Sequence, residues 1–381
     1  MILTSRLIII FLVVSLSTIA CKSYNQSSEP ELEEKPTIEE KKEIELNPQS
    51  LDYQYKADFY NEDLYYNFSE KSEQQKLEQS NKVIDYYTKA IAADPRNSSA
   101  YEGRANIYDR LEQYDKAIAD LTQSIVVDPQ NISAYSSRAK LYFLTLKEPS
   151  KAVVDLTKAI SLATKDKSLP RDKSRPLPLY EFYHLRVLYN LRVYAYMELE
   201  QYDKAIADSD RIIALEPEEA TNYNFRAYVY CEAKQYDLAI ADYTKAIKPL
   251  PNYAHAYKNR GQTYAKLKQY DLAIADYTKA LSSYSDYSSF GSNNVDYANA
   301  YVGRADVYRE LKQYDLAIAD YDNALKVYSE FAFAYKKRGE FYQELGNIAQ
   351  ARQDLEKAAS LYQQQDNTEE YQIVQQQLQQ L

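Results

Sequence analysis

The stretch from Gln235 to Ile247 reads QYDLAIADYTKAI, and the chain repeats it. It returns nearly unchanged from Gln269 to Leu281 and, slightly altered, from Gln313 to Leu325. Shorter forms begin at Gln113 and Gln201. Self-similarity of this kind is typical of repeat proteins, so the length of the chain measures the number of repeats rather than the number of globular domains.

A second block precedes each copy and opens with a tyrosine. In Tyr223, Ala227 and Tyr230 it places large, small and large residues at the spacing of one helix face. The Gln235–Ile247 stretch has the same spacing, and prolines follow it in several copies. Most leading tyrosines are 34 residues apart: they are Tyr101, Tyr135, Tyr189, Tyr223, Tyr257, Tyr301 and Tyr335. The repeat is therefore a pair of helices.

The composition favours an all-α fold. Of 381 residues 45% are hydrophobic, Trp is absent, Tyr numbers 41, and the 6 Gly are too few for many sharp turns. A net charge of −10 without a basic cluster argues against nucleic acid as a partner. Two Cys and two His provide neither a disulfide framework nor a metal site. Without a phosphate-binding loop or a nucleophile motif, we expect no cofactor and no catalysis.

These blocks resemble the tetratricopeptide repeat (TPR) family, with Tyr in place of the usual Trp. The resemblance implies a right-handed superhelical α-solenoid of helix hairpins. It covers seven units over 98–365, opening near Ser98, Ile132, Arg186, Ala220, Ala254, Ala298 and Ala332. Unit two has one extra residue near Glu148, and insertions near 166–185 and 287–296 are expected to be spacers. A degenerate capping repeat over 56–97, clear only from Lys82 to Ala93, and a capping helix over 366–381 would close the ends.

The N-terminus predicts export. Arg6 precedes a run of ten residues, Leu7 to Leu16, that is apolar except for Ser15. The run is shorter than the roughly 20 residues that span a bilayer, and small residues follow it, which indicates a signal peptide over 1–20. A retained membrane anchor is the alternative. The segment also resembles a bacterial lipoprotein signal with Cys21 as the lipidated residue, although Thr18 stands where Leu is usual. A polar, acidic tether over 21–55 would then link the body to the membrane, which places the protein in the cell envelope, on the outer membrane, its periplasmic face or the cell surface.

Two charged columns run through the repeats. The arginines are Arg104, Arg138, Arg192, Arg226, Arg260, Arg304 and Arg338, and the aspartates are Asp120, Asp155, Asp208, Asp242, Asp276, Asp320 and Asp354. They could form a ladder of anion sites. Their matched numbers favour structural ion pairs that join the helices of each unit.

The TPR resemblance also implies a concave groove, lined by first-helix residues, that binds a protein or peptide partner. In units three to five these residues are Asn190, Leu191, Tyr194, Met197, Asn224, Phe225, Tyr228, Lys258, Asn259 and Gln262. Exposed aromatic patches mark binding sites, although neighbouring helices could cover these side chains. We therefore expect a non-catalytic adaptor. Self-association through the array ends and glycan binding on the groove tyrosines are the alternatives.

Overall fold

A computed structural model describes residues 45–66, 71–165, 179–285 and 294–381. Every regular element in these ranges is helical, which confirms the predicted all-α class. The expected signal peptide, Cys21 and the tether up to residue 44 lie outside the described residues, as does most of each predicted insertion.

Consecutive helices pack in antiparallel pairs, one pair to each repeat unit. The first helices after the N-terminal pair are α3, α5, α7, α9, α11, α13 and α15, and each is followed by its second helix. The bounds are α1 Pro48–Tyr66, α2 Glu73–Ala93, α3 Ser98–Arg110, α4 Tyr114–Val127, α5 Ile132–Lys140, α6 Pro149–Lys165, α7 Leu179–Glu198, α8 Tyr202–Leu215, α9 Ala220–Glu232, α10 Tyr236–Ile247, α11 Ala254–Lys266, α12 Tyr270–Ser285, α13 Asn294–Glu310, α14 Tyr314–Val327, α15 Ala332–Glu344, α16 Ile348–Gln364 and α17 Thr368–Gln379.

The chain divides into two compact units, one ending at Leu215 and the other beginning at Glu216. The first therefore contains α1 to α8 and the second α9 to α17. In each compact unit, alanines of the facing helices are fully buried and let the backbones approach closely, as Ala105 and Ala117 do in the first compact unit.

The unit boundaries follow the prediction except after the insertions. Five first helices begin at the predicted residue, but α7 begins at Leu179 instead of Arg186, and α13 begins at Asn294 instead of Ala298. Residues assigned to the end of each insertion thus extend the helix that follows.

The N-terminal pair is better formed than predicted. The tether prediction was wrong from Pro48 to Tyr55, because α1 begins at Pro48 and buries Ala57. Tyr53 and Tyr60 pack beside Ala57, in the large, small, large pattern of a first helix. The second helix, α2, begins nine residues before Lys82, behind a capping box.

The extra residue of unit two is absorbed by a π-helical turn over Leu141–Thr145, where Leu146 N–H donates to the Leu141 carbonyl at 3.0 Å. Such a turn takes up one residue without breaking the helix. The predicted position near Glu148 was therefore a few residues too late.

Tyrosines of the second helices fill the space between units. Tyr277 of α12 is 3% exposed, and burial raises the pKa of its hydroxyl. A methyl group placed on Gly303 of α13 would lie 2.6 Å from the Tyr277 ring. The glycine thus makes room for a large residue of the preceding unit.

We predict that Gly303→Ala destabilises the fold by about 1–2 kcal/mol, because the buried ring must move. Gly261→Ala is the matched control. Its new methyl group would meet only ordinary or slightly tight contacts, the nearest at 3.2 Å, and Ala227 and Ala305 fill the same position in neighbouring units. Because alanine favours helix over glycine by about 1 kcal/mol, Gly261→Ala should be neutral or stabilising. Urea unfolding measures both, and equal destabilisation would contradict this packing.

Candidate functional site

All seven predicted arginine–aspartate pairs are brought together. In each, Nε and Nη2 of the arginine donate to the two carboxylate oxygens over 2.6–3.0 Å. The aspartates are buried, with Asp242 only 2% exposed. This bidentate geometry is the strong form of the charge-assisted hydrogen bond, and it joins the two helices of one unit.

The same guanidinium reaches the preceding unit. Nη1 of Arg104, Arg138, Arg192, Arg260 and Arg304 donates to a threonine hydroxyl at 2.8–3.0 Å; the acceptors are Thr88, Thr122, Thr157, Thr244 and Thr278. In unit seven Asp322 takes the threonine's place beside Arg338. Except for Thr88, each of these acceptors lies two residues after a ladder aspartate, a column that sequence reasoning missed although it is visible in the repeats.

Tyrosines complete the surroundings of each arginine. The guanidinium carbon lies 5.6–6.0 Å from the ring centre of the leading tyrosine in every unit, as for Tyr257 beside Arg260. In six of the seven units, the tyrosine four residues after the arginine lies equally close, as Tyr264 does. The arginine column therefore packs inside the array, which disfavours its use as a set of anion sites.

In the first compact unit, Asn190, Tyr194 and Met197 of α7 are half-buried. Leu191 is 1% exposed, so its assignment to a groove was wrong. It occupies the column of Gly103, which lies against Tyr87 of the preceding second helix. That column faces the preceding unit. Phe225 and Asn259 occupy the same column, two residues after the leading tyrosine of their units, which disfavours them as groove residues.

In the second compact unit, Asn224, Phe225 and Tyr228 of α9 are half-buried. Asn224 Oδ1 is enclosed and has no hydrogen-bond partner among the described residues. A buried acceptor left unsatisfied costs about 1–3 kcal/mol. Asn224 is thus the one predicted groove residue whose described surroundings leave a hydrogen-bonding atom unsatisfied.

On α11, Asn259 and Gln262 are half-buried. Lys258, in contrast, forms an ion pair within the chain. Its ammonium pairs with Asp296 of α13, and His255 Nδ1 lies 3.4 Å from the same carboxylate. Burial lowers the pKa of His255; it also disfavours the Asp296 carboxylate, but Lys258 outweighs this and the pKa of Asp296 is lowered. Lys258 therefore contributes to the internal packing rather than offering an unpaired charge to a partner.

Family comparisons agree with the repeat pattern. Three models, each described as tetratricopeptide repeat, match residues 252–330 and 296–364, residues 86–119, and residues 190–254. Together they cover more than half of the chain. The chain belongs to the tetratricopeptide repeat family. No curated protein matches the sequence.

Solved TPR structures resemble the fold. The C-terminal part of a TPR repeat-containing protein from Cytophaga hutchinsonii has a TM-score of 0.51 at 18% identity, over 75% of this chain and 98% of that one. A TPR protein from Parabacteroides merdae has a TM-score of 0.48 at 18% identity, over 74% of this chain and 96% of that one. YrrB, described as a TPR protein with an unusual peptide-binding site, has a TM-score of 0.37 at 16% identity, over 56% of this chain and 95% of that one. At these identities the likeness concerns the fold alone.

Family membership makes this chain a protein-interaction scaffold, since TPR arrays typically bind other proteins and are typically non-catalytic. In the described ranges no three His, Cys, Asp or Glu side chains are grouped to hold a metal ion. None of the helices described between residues 45 and 381 is long and apolar enough to cross a membrane.

Cys231 of this TPR array is buried. Lys266 Nζ lies 3.6 Å from its sulfur. The two residues are 35 positions apart, one on α9 and one on α11, so only the stacking of TPR units brings them together.

We predict that Arg260→Met destabilises the TPR array by about 3 kcal/mol, because the buried Asp276 carboxylate loses its partner. Thr244→Val, which removes only the bond to the preceding unit, should cost about 1 kcal/mol. Arg352→Met replaces an exposed arginine of α16 and should stay within about 0.5 kcal/mol of the wild type. Guanidinium unfolding followed by circular dichroism measures all three. Similar losses for Arg260 and Arg352 would contradict a structural role for the ladder.

Proposed function

We propose that this TPR protein is an adaptor of the bacterial cell envelope. A lipid on Cys21 anchors it, the polar segment after Cys21 serves as a tether, and the TPR array binds an extended segment of another protein on the inner face of its first helices. The partner is a protein of the same compartment.

Asn224 is the observation that supports the binding surface. An extended peptide carries backbone N–H groups at regular intervals, and one of these can satisfy the Asn224 Oδ1 atom that the described chain leaves without a donor. Tyr228, on the same helix, is half-buried rather than enclosed, and it supplies apolar area for the side chains of such a peptide. Gln262 on α11 adds an amide group that pairs with a peptide backbone.

The ion pair of Lys258 with Asp296 determines which kind of segment this surface selects. Since the lysine charge is already neutralised, the part of the surface around α9 and α11 selects by amide and aromatic contacts rather than by charge. We therefore expect the bound segment to be extended and weakly charged, and its affinity to depend little on salt.

We predict that Asn224→Leu abolishes partner binding while it leaves the fold as stable as the wild type or slightly more stable, because an apolar side chain of similar size removes an unsatisfied buried acceptor. Asn323→Leu is the matched control, since it replaces a half-buried asparagine on the second helix α14. Crosslinked envelope extracts are compared by mass spectrometry for the wild type and both variants.

A partner recovered with the wild type and with Asn323→Leu, but not with Asn224→Leu, is the expected result. Recovery of identical proteins with all three chains would refute the assigned surface. Thermal unfolding of the purified variants separates a loss of binding from a loss of folding.

For the anchor, we predict that Cys21→Ser stops the incorporation of labelled fatty acid and releases the protein from the membrane fraction. Cys231→Ser, which changes the buried cysteine, should alter neither readout. Unchanged labelling of Cys21→Ser would exclude lipidation at this residue, and membrane retention without labelling would favour an uncleaved apolar anchor instead.

A further inference from the structure

One column of the first helices is buried in all seven TPR units. It holds the residue six positions after the leading tyrosine, among them Ile107, Leu141, Val307 and Phe341, each at most 4% exposed. These residues pack against the second helix of the preceding unit: Ile107 shares an apolar cluster with Tyr87, and the ring centres of Phe341 and Tyr321 are 6.1 Å apart. An internal unit therefore covers this face of the next one.

On α1 the same face is open. Counted from Tyr53, the equivalent residue is Phe59, which is 61% exposed. Tyr55 is 73% exposed and Leu51 is 46% exposed. At intervals of four residues, the three side chains form a single stripe along the helix. No described helix packs on this stripe. By contrast, α17 covers the last repeat of the second compact unit and buries Val374.

We propose that a second copy of this chain covers the stripe, with the α1 helices of the two copies packed antiparallel about a two-fold axis at Tyr55. The stripe is symmetric about its centre, so this axis sets Leu51 of each copy against Phe59 of the other. The same surface then serves both partners, as a two-fold interface requires. Aromatic rings fill the contact, as Tyr87, Tyr277 and Tyr321 do between internal units.

Charge along one edge of the stripe fits the same arrangement. Lys56 and Asp52 form an exposed ion pair on α1 at 2.6 Å. With a rise of about 1.5 Å per residue, Lys56 lies beyond Tyr55 and Asp52 before it. A two-fold axis at Tyr55 therefore places Lys56 about 3 Å along the helix from Asp52 of the second copy. By symmetry, Asp52 lies at the same offset from Lys56 of the second copy.

Cysteine crosslinking of the full chain tests this register. Tyr55→Cys lies on the axis, so mild oxidation should produce a covalent dimer on a non-reducing gel. Chains with Leu51→Cys should crosslink to chains with Phe59→Cys when the two are mixed, and much less to themselves. Adding Phe59→Glu to Tyr55→Cys should abolish the dimer, because the charge enters the apolar contact. All of these positions are exposed, so folding is retained, and circular dichroism checks it.

Leu272→Cys is the control, since Leu272 is 49% exposed on α12, a helix of the second compact unit. The unchanged chain, which retains Cys21 and Cys231, sets the background. A Tyr55→Cys dimer well above both controls supports the proposal. A yield equal to that of Leu272→Cys overturns it, and so does a Leu51→Cys chain that crosslinks only to itself. The proposal does not depend on the inner-face surface, because α1 lies outside that surface.

Discussion

The fold depends on one guanidinium in each repeat. Through two nitrogens the arginine binds the aspartate of its own second helix, and in most units the third nitrogen binds a threonine of the helix before it, as Arg260 does with Asp276 and Thr244. One side chain thus fixes both the hairpin and its stacking on the preceding one. Since repeat arrays are stabilised by contacts between neighbours, this repeated clamp contributes to stability along each compact unit.

The regular part of the fold could be predicted because its contacts recur at the period of the sequence. The departures occurred where that period breaks. In the N-terminal pair, Lys56 of α1 and Tyr86 of α2 occupy the positions that the arginine and the aspartate hold in the other units. These two residues are thirty positions apart, whereas Arg104 and Asp120 are sixteen apart. The first helix of this pair therefore did not align with the others. The pairing of Lys258 with Asp296 was equally hidden, because Asp296 belongs to an insertion that extends α13.

The candidate site was predicted less well than the fold. Helical spacing tells which residues share a face, but it does not tell how large the residue opposite will be. Leu191 and Gly103 occupy the same column, and in each case the preceding unit covers the position. Differences between units therefore carry the functional information: an unsatisfied amide at Asn224, a neutralised lysine at Lys258, and an uncovered stripe on α1. The repeated residues explain only why the helices pack.

Hydrogen exchange of the Arg304→Met variant tests most directly whether one arginine holds two units together. Arg304 of α13 bonds Asp320 on α14 and Thr278 on α12. The account predicts faster exchange in both second helices, α12 and α14, while α16 and α17 keep their protection. Faster exchange confined to α13 would contradict it, since the arginine would then stabilise only its own helix.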